Sequence, residues 1–147
     1  MASESGWGPY CGPKGVAWMT RVVINVSGGL YASGIELALK KSGEFRTAVL
    51  RSGDTEQILL TCREQEADVL LLGVTPAPGF GVRERTELIA RVRRALPRCR
   101  IVLIVDDSVS ESVNEDVKSL KQTGVIDAFL FTSATNFSYL EAILQSI

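Results

Sequence analysis

The sequence predicts an α/β fold in which five parallel strands alternate with five helices, forming a doubly wound (βα)5 sheet. Short apolar runs rich in β-branched residues alternate with longer segments whose apolar residues recur at helical spacing. The third run is apolar throughout, as expected for a strand that helices cover on both faces. Alternation of this kind implies right-handed crossovers within one sheet. A chain of 147 residues, 46% of them hydrophobic, suffices for one such domain.

Each strand–helix unit has its own start and stop signals. The first helix is predicted from the spacing of Tyr31, Ile35 and Leu39. Gly43 is expected to end that helix, and Pro97 to end the third. The predicted strands cover residues 22–26, 45–50, 69–72, 101–105 and 126–131.

Two of the helices carry patterns that are typical of helix N-termini. Asp54 with Gln57 three residues later predicts a cap for the second helix. Ser112 with Glu115 predicts a capping box for the fourth helix in the same way. Gly124 is expected to stop the fourth helix, because glycine readily adopts the backbone conformation that follows many helices.

The charges do not indicate a nucleic-acid-binding surface, since the net charge is only -1. The chain has no histidine, which removes the commonest general base and the commonest metal ligand. No nucleophile–base pair or metal-ligand cluster is evident, so we expect neither an enzyme nor a cofactor. The arginines of one segment are interpreted as a solvated helix face: Arg83, Arg85, Arg91, Arg93, Arg94, Arg98 and Arg100.

Compartment and domain limits follow from the cysteines and from the first residues. The three cysteines are far apart and form no C-x-x-C pair, which suits a reducing, cytoplasmic environment. No apolar run is long enough to cross a membrane. Residues 1–19, rich in glycine and proline, are predicted to be a flexible arm or a segment added to the native chain, before a domain at 20–147. Alternatively, Trp7, Tyr10 and Trp18 dock on the domain or on a neighbouring molecule.

A glycine-rich turn follows the first strand. Backbone N–H groups of Ser27-Gly28-Gly29 at the start of a helix can bind a phosphate. The turn resembles the first residues of the S-G-G-x-D-S loop of ATP pyrophosphatases, but Tyr31 stands where that loop has aspartate. No Walker lysine follows either. A tight turn between strand and helix is the favoured interpretation, and a small phosphate- or nucleotide-binding protein is the alternative.

Two stretches resemble the receiver domain of two-component response regulators. ADVLLLG at residues 67–73 is similar to the family pattern P-D-[LV]-[VI]-L-L-D, with Gly73 in place of the phosphorylated aspartate. GVIDAFL at 124–130 is similar to G-A-x-[DG]-[YF]-[LV]-x-K, with Phe131 or Thr132 in place of the lysine. The resemblance covers about residues 20–147. It implies a flavodoxin-like sheet of strand order 2-1-3-4-5 and a role in signal transduction.

The same resemblance implies that phosphoryl transfer is lost. A working receiver uses an acidic pair for Mg²⁺, an aspartate acceptor, a hydroxyl and a lysine. None of these groups stands at its expected position in this sequence, so we expect no catalysis and no bound metal. The residues at those positions form a vestigial receiver site: Ser27, Gly28, Gly73, Val105, Asp106 and Thr132.

Two further features belong to the same edge of the predicted sheet. Asp106 and Asp107 follow the fourth strand, and we favour a solvated loop over a site for a cation or a basic partner. Phe80, in the loop at residues 76–81, is predicted to pack on the third helix, or alternatively to contact a partner.

The leading hypothesis is therefore a phosphorylation-independent receiver-like domain that acts through protein–protein interaction. The resemblance implies that residues 111–146 are the candidate surface for a protein partner or for a homodimer. Contact with nucleic acid is expected only through an effector domain that is not in this chain, and no membrane partner is expected.

Overall fold

The computed structural model describes residues 19–51, 54–132 and 136–147. The strands are β1 (Thr20–Asn25), β2 (Phe45–Val49), β3 (Val69–Val74), β4 (Arg100–Val105) and β5 (Ala128–Phe131). The helices are α1 (Gly29–Ser42), α2 (Thr55–Gln65), α3 (Val82–Ala95), α4 (Glu111–Gln122) and α5 (Phe137–Ser146). The predicted alternation is confirmed. The predicted arm at residues 1–18, with its aromatic side chains, lies outside the described residues.

The five strands form one parallel sheet of order β2-β1-β3-β4-β5. This order confirms the predicted doubly wound class. Helices α1 and α5 pack one hydrophobic cluster against one face of the sheet, while α2, α3 and α4 pack another against the opposite face. All six residues of β3 are buried, which explains the uninterrupted apolar run in the sequence. Within the described residues, no helix is long and apolar enough to cross a membrane.

The helix ends agree with the sequence signals at most positions. Gly43 adopts a left-handed conformation with φ of 76° and ends α1. The Asp54 carboxylate caps α2 by accepting a hydrogen bond of 3.1 Å from the N–H of Glu56. Gly124, with φ of 81°, follows the end of α4.

The predicted start of α4 was wrong by two residues. Ser110, rather than Ser112, has the extended backbone of a cap, and its hydroxyl accepts from the N–H of Val113 at 3.4 Å. Glu115 lies 3.7 Å from Lys118 on the same helix, so it has another partner within α4. The helix begins at Glu111 because the serine two residues earlier already supplies the cap.

Two cysteines of the described residues are buried thiols. Cys62 is fully buried on α2, as predicted from its apolar surroundings, and Cys99 precedes β4 with 2% of its surface exposed. Burial raises the pKa of each thiol to about 12, because a thiolate is poorly stabilised away from water. Both thiols therefore stay protonated at neutral pH.

Candidate functional site

The carboxyl edge of the sheet holds most of the predicted site residues. Gly73 and Val105 lie near the ends of the neighbouring strands β3 and β4, and both are buried. The N–H of Asp106 donates to the carbonyl of Val74 at 2.9 Å, which extends the pairing by one residue. The structure thus brings these positions together on adjacent strands. Thr132 follows β5 at the same edge.

A side chain at position 73 would meet the chain that leaves β1. A Cβ atom on Gly73 would stand 3.1 Å from the Cα and 3.2 Å from the Cβ of Val26. Contacts this short are tighter than ordinary van der Waals packing, and one of the two atoms belongs to the backbone. The space in which an acceptor carboxylate would stand is therefore occupied by Val26, which is itself buried.

The Arg85 guanidinium lies at the ends of β1 and β3. Its Nε donates to the carbonyl of Gly73 at 2.8 Å, and its Nη2 donates to the carbonyl of Asn25 at 3.0 Å. The side chain is only 1% exposed, and the guanidinium carbon stands 4.5 Å from the centre of the Phe80 ring. A buried cation is stable when hydrogen bonds and a π-face replace its lost water.

Arg85 keeps its charge in this position. Burial lowers the pKa of the guanidinium to about 10, and the nearby charge of Glu84 acts in the opposite direction. The group is thus protonated at neutral pH. A permanent positive charge is fixed against the strand carbonyls, at the edge where a receiver binds its metal ion. The interpretation of Arg85 as part of a solvated helix face was wrong.

Phe80 completes the cover over Arg85. Its N–H donates to the carbonyl of Ala77, and its carbonyl accepts from the N–H of Thr75, both at 3.0 Å. These bonds fold the loop over the start of α3 and leave Phe80 8% exposed. The contact with Arg85 confirms the prediction that Phe80 packs on the third helix.

The acidic residues after β4 are engaged in their own loop. The Asp106 carboxylate accepts from the N–H and from the hydroxyl of Ser108, both at 2.8 Å, and these bonds lower the pKa of Asp106. Asp107 accepts from the hydroxyl of Thr132 at 3.2 Å. Across the described ranges, no group of three or more histidines, cysteines or carboxylates could hold a metal ion.

The glycine turn lies farther along the same edge. Gly28, with φ of 94°, precedes α1, and α1 has neither a side-chain cap nor an acidic residue in its first turn. A Cβ atom on Gly29 would collide with the guanidinium of Arg51. The N-terminus of α1 therefore stands beside a positive side chain, which adds to the attraction that the helix dipole has for anions.

An open apolar cavity of about 440 Å³ lies between the loop that follows β3 and the start of α4. Its apolar wall includes Pro76, Val82, Val109 and Val113, and Glu84 supplies a carboxylate. Volume and lining are in the range of pockets that take small ligands or single side chains of a partner. The cavity joins the vestigial site to α4.

Sequence reasoning missed Arg85 and Val26 as site residues. Arg85 precedes Leu88 by three positions and Ile89 by four, so it lies on the buried stripe of α3. That spacing is the signal that could have located it. The contact of Val26 with Gly73 has no local signal, because it joins residues 47 positions apart across two strands.

Comparison with solved structures identifies the architecture. A DNA-binding response regulator of the LuxR family from Staphylococcus aureus is 12% identical, with a TM-score of 0.67 over 86% of this chain and 97% of that one. The chemotaxis protein CheY4 of Vibrio cholerae is 18% identical, with a TM-score of 0.65 over 86% and 97% of the two chains. The chain has the receiver fold.

The receiver fold also matches part of a larger regulator. RcsB of Salmonella enterica serovar Typhimurium, solved bound to a promoter, is 16% identical, with a TM-score of 0.65 over 87% of this chain and 67% of that one. No family model and no curated protein matches the sequence. At these identities the likeness describes the fold, and the chemistry of the edge is decided by this chain's own residues.

Proposed function

We propose that this chain is a receiver-like signalling domain of the cytoplasm that binds a protein partner and accepts no phosphoryl group. The observation that carries the proposal is the Arg85 guanidinium on the carbonyls of Asn25 and Gly73. It provides a permanent charge where a receiver uses an exchangeable metal ion. Val26 fills the space above Gly73, so neither a carboxylate nor a phosphoryl group has room there.

The test is exposure to phosphoryl donors and mimics. The chain is incubated with acetyl phosphate, or with beryllofluoride, in the presence of Mg²⁺, beside an ordinary receiver that carries the acceptor aspartate. We expect the ordinary receiver to gain a mass adduct and a higher Tm, while this chain shows neither. A stoichiometric adduct at the carboxyl edge would overturn the proposal.

A matched variant separates a missing acceptor from a closed site. Gly73→Asp restores the carboxylate but leaves Val26 and Arg85 in place. We expect this variant to remain without an adduct and to lose stability, because the new side chain has no space. Efficient phosphorylation of Gly73→Asp would mean that only the acceptor was lost, and that the edge is still a working site.

The partner surface is proposed to lie on residues 111–146, next to the apolar cavity at the start of α4. The outward side chains of α4 include Glu115, Lys118 and Lys121, which form a polar surface suited to a reversible contact. If the contact is a homodimer, sedimentation will depend on protein concentration, and Lys118→Glu with Lys121→Glu will weaken the association. Contact with DNA would require an effector domain that is not in this chain.

A second candidate function rests on Arg51. Its guanidinium stands against Gly29 at the N-terminus of α1, where Gly28 leaves the first turn without a side-chain cap. This combination favours a small anion such as a phosphate group. The candidate function is binding of a phosphate or a nucleotide at Ser27-Gly28-Gly29.

Thermal shift tests the second candidate without reference to the first. Inorganic phosphate, ATP, GTP and cyclic dinucleotides are titrated against the chain and against Arg51→Ala, with Arg98→Ala as the control. Binding would give a saturable rise in Tm that Arg51→Ala reduces and Arg98→Ala keeps. Equal, non-saturating shifts for all three chains would remove the second candidate.

A further inference from the structure

The largest exposed apolar side chains are concentrated on α1 and at the start of α5. Leu30 and Leu37 are 90% and 63% exposed, and they stand seven residues apart on one side of α1. Phe137 and Tyr139 at the start of α5 are 38% and 49% exposed. We name these four residues the α1–α5 face. A face of this kind on a folded domain indicates a surface that something covers.

Close packing makes the α1–α5 face continuous across the two helices. The Phe137 ring lies over Gly34, where an added Cβ would stand 3.1 Å from the ring carbon Cζ. The rings of Phe137 and Tyr31 are 6.2 Å apart between their centres. Gly34 therefore lets the aromatic ring of α5 fill the gap between Leu30 and Leu37 on α1.

We propose that residues 1–18 of the same chain dock on the α1–α5 face, with the indole rings of Trp7 and Trp18 as anchors. The composition of this segment is complementary to the face. It holds both tryptophans of the chain and only two charged side chains, Glu4 and Lys14. Aromatic rings contribute the most apolar contact area at little cost in conformational entropy. This inference is independent of the proposed function.

The place where the segment joins the domain supports docking on this face. The N–H of Thr20 donates to the carbonyl of Glu44 at 3.0 Å, just beyond the end of α1. The side chain of Gln145 near the end of α5 donates to the Glu44 carboxylate at 2.7 Å. The described chain thus begins where both helices end, so a preceding segment leaves the sheet beside the α1–α5 face.

The length of the segment is sufficient to reach the far end of the face. The thirteen residues from Trp7 to Thr20 can span roughly 43–47 Å when extended. Helix α1 has 14 residues and is therefore about 21 Å long. Covalent attachment also gives the segment a local concentration on the order of millimolar, which favours it over a free partner.

Tryptophan fluorescence tests the proposal directly, because the only two tryptophans are Trp7 and Trp18. We expect the folded chain to emit at shorter wavelength than the chain in urea and to resist quenching by acrylamide. Leu30→Glu and Leu37→Glu should shift the emission toward that of the unfolded chain and raise quenching several-fold. Leu60→Glu, at a residue of α2 that is 54% exposed, is the matched control and should change neither quantity.

Further measurements keep the test decisive. Circular dichroism and Tm establish that each variant is folded, and Trp18→Phe leaves Trp7 as the only emitter. Emission of the folded chain equal to that in urea, or equal effects of Leu30→Glu and Leu60→Glu, would overturn the proposal. It would also be overturned if protection depended on protein concentration and disappeared as a dimer dissociated, since the cover would then be a second copy.

Discussion

The two edges of the sheet hold opposite charges against the backbone. At the amino edge, the Asp68 carboxylate accepts from the N–H of Arg21 at 2.9 Å, and the Asp127 carboxylate accepts from the N–H of Ile101 at 2.8 Å. At the carboxyl edge, the guanidinium of Arg85 donates to two carbonyl groups. Each edge therefore carries the charge that complements the backbone groups that its strands present.

This comparison explains why the carboxyl edge differs from a phosphorylation site. A cluster of carboxylates at that edge would face strand carbonyls as well as each other, and it needs a metal ion to offset the repulsion. A buried guanidinium removes that need and gives up the chemistry that depends on it. The charge of Arg85 stabilises the edge in one fixed arrangement.

The edges also differ in their exposure to water. Arg85 is 1% exposed, whereas the Asp127 side chain is 21% exposed and that of Asp68 is 44% exposed. Asp127 pairs with Arg93 at 3.0 Å, and Asp68 pairs with Arg21 at 3.3 Å. Partly solvated pairs contribute little to stability, so substitutions at the two edges should have unequal effects.

The largest effect is expected from Arg85→Met. The variant keeps apolar volume but leaves the buried carbonyls of Asn25 and Gly73 without their guanidinium donors. We expect a loss of roughly 2–4 kcal/mol in the free energy of unfolding, measured by urea denaturation. Arg85→Lys retains a charge but no fork of donors and should lose about half as much. Full stability of Arg85→Met would contradict the comparison.

The next effect is expected from Gly73→Ala. The new methyl group meets Val26 at 3.1–3.3 Å, and we expect a loss of roughly 1–3 kcal/mol. The matched measurement is a double-mutant cycle with Val26→Ala. Relief of the crowding should make the double variant more stable than the sum of the single losses implies. Additive losses would show that the two positions do not crowd each other.

At the amino edge we expect a smaller effect from Asp127→Ala. It removes an acceptor for the N–H of Ile101 and the partner of Arg93, at a site that water reaches. The expected loss is about 1–2 kcal/mol in the same assay. Asp127→Asn keeps an oxygen acceptor and should lose less. If Asp127→Ala cost as much as Arg85→Met, the edges would not differ in the proposed way.

The smallest effect is expected from Asp106→Ala. The bonds from Ser108 lower the pKa of this exposed carboxyl in the folded chain. Its contribution is therefore present above the pKa of the unfolded chain and is lost as the pH falls through the lower, folded value. After screening by solvent we expect a few tenths of a kcal/mol at pH 7. Urea midpoints of wild type and variant should converge below that pH range.

Sequence reasoning located the strands, because their apolar runs are local signals and the six buried residues of β3 match one of them. It located Asp54 as a cap for the same reason. It failed at Arg85, since a charged residue was assigned to solvent although its spacing placed it beside Leu88 and Ile89. Periodicity gives the face of a helix, but only the folded chain gives the carbonyls that the tip of the side chain reaches.

The two buried thiols have a practical consequence for spectroscopy. With their pKa values near 12, Cys62 and Cys99 remain protonated and covered at pH 7 to 8, where maleimides attack thiolates. A maleimide dye is therefore excluded from both unless the chain unfolds. Cys11, outside the described residues and four positions from Trp7, is the one remaining thiol. The native sequence thus offers a single attachment point for a distance probe without any cysteine being replaced.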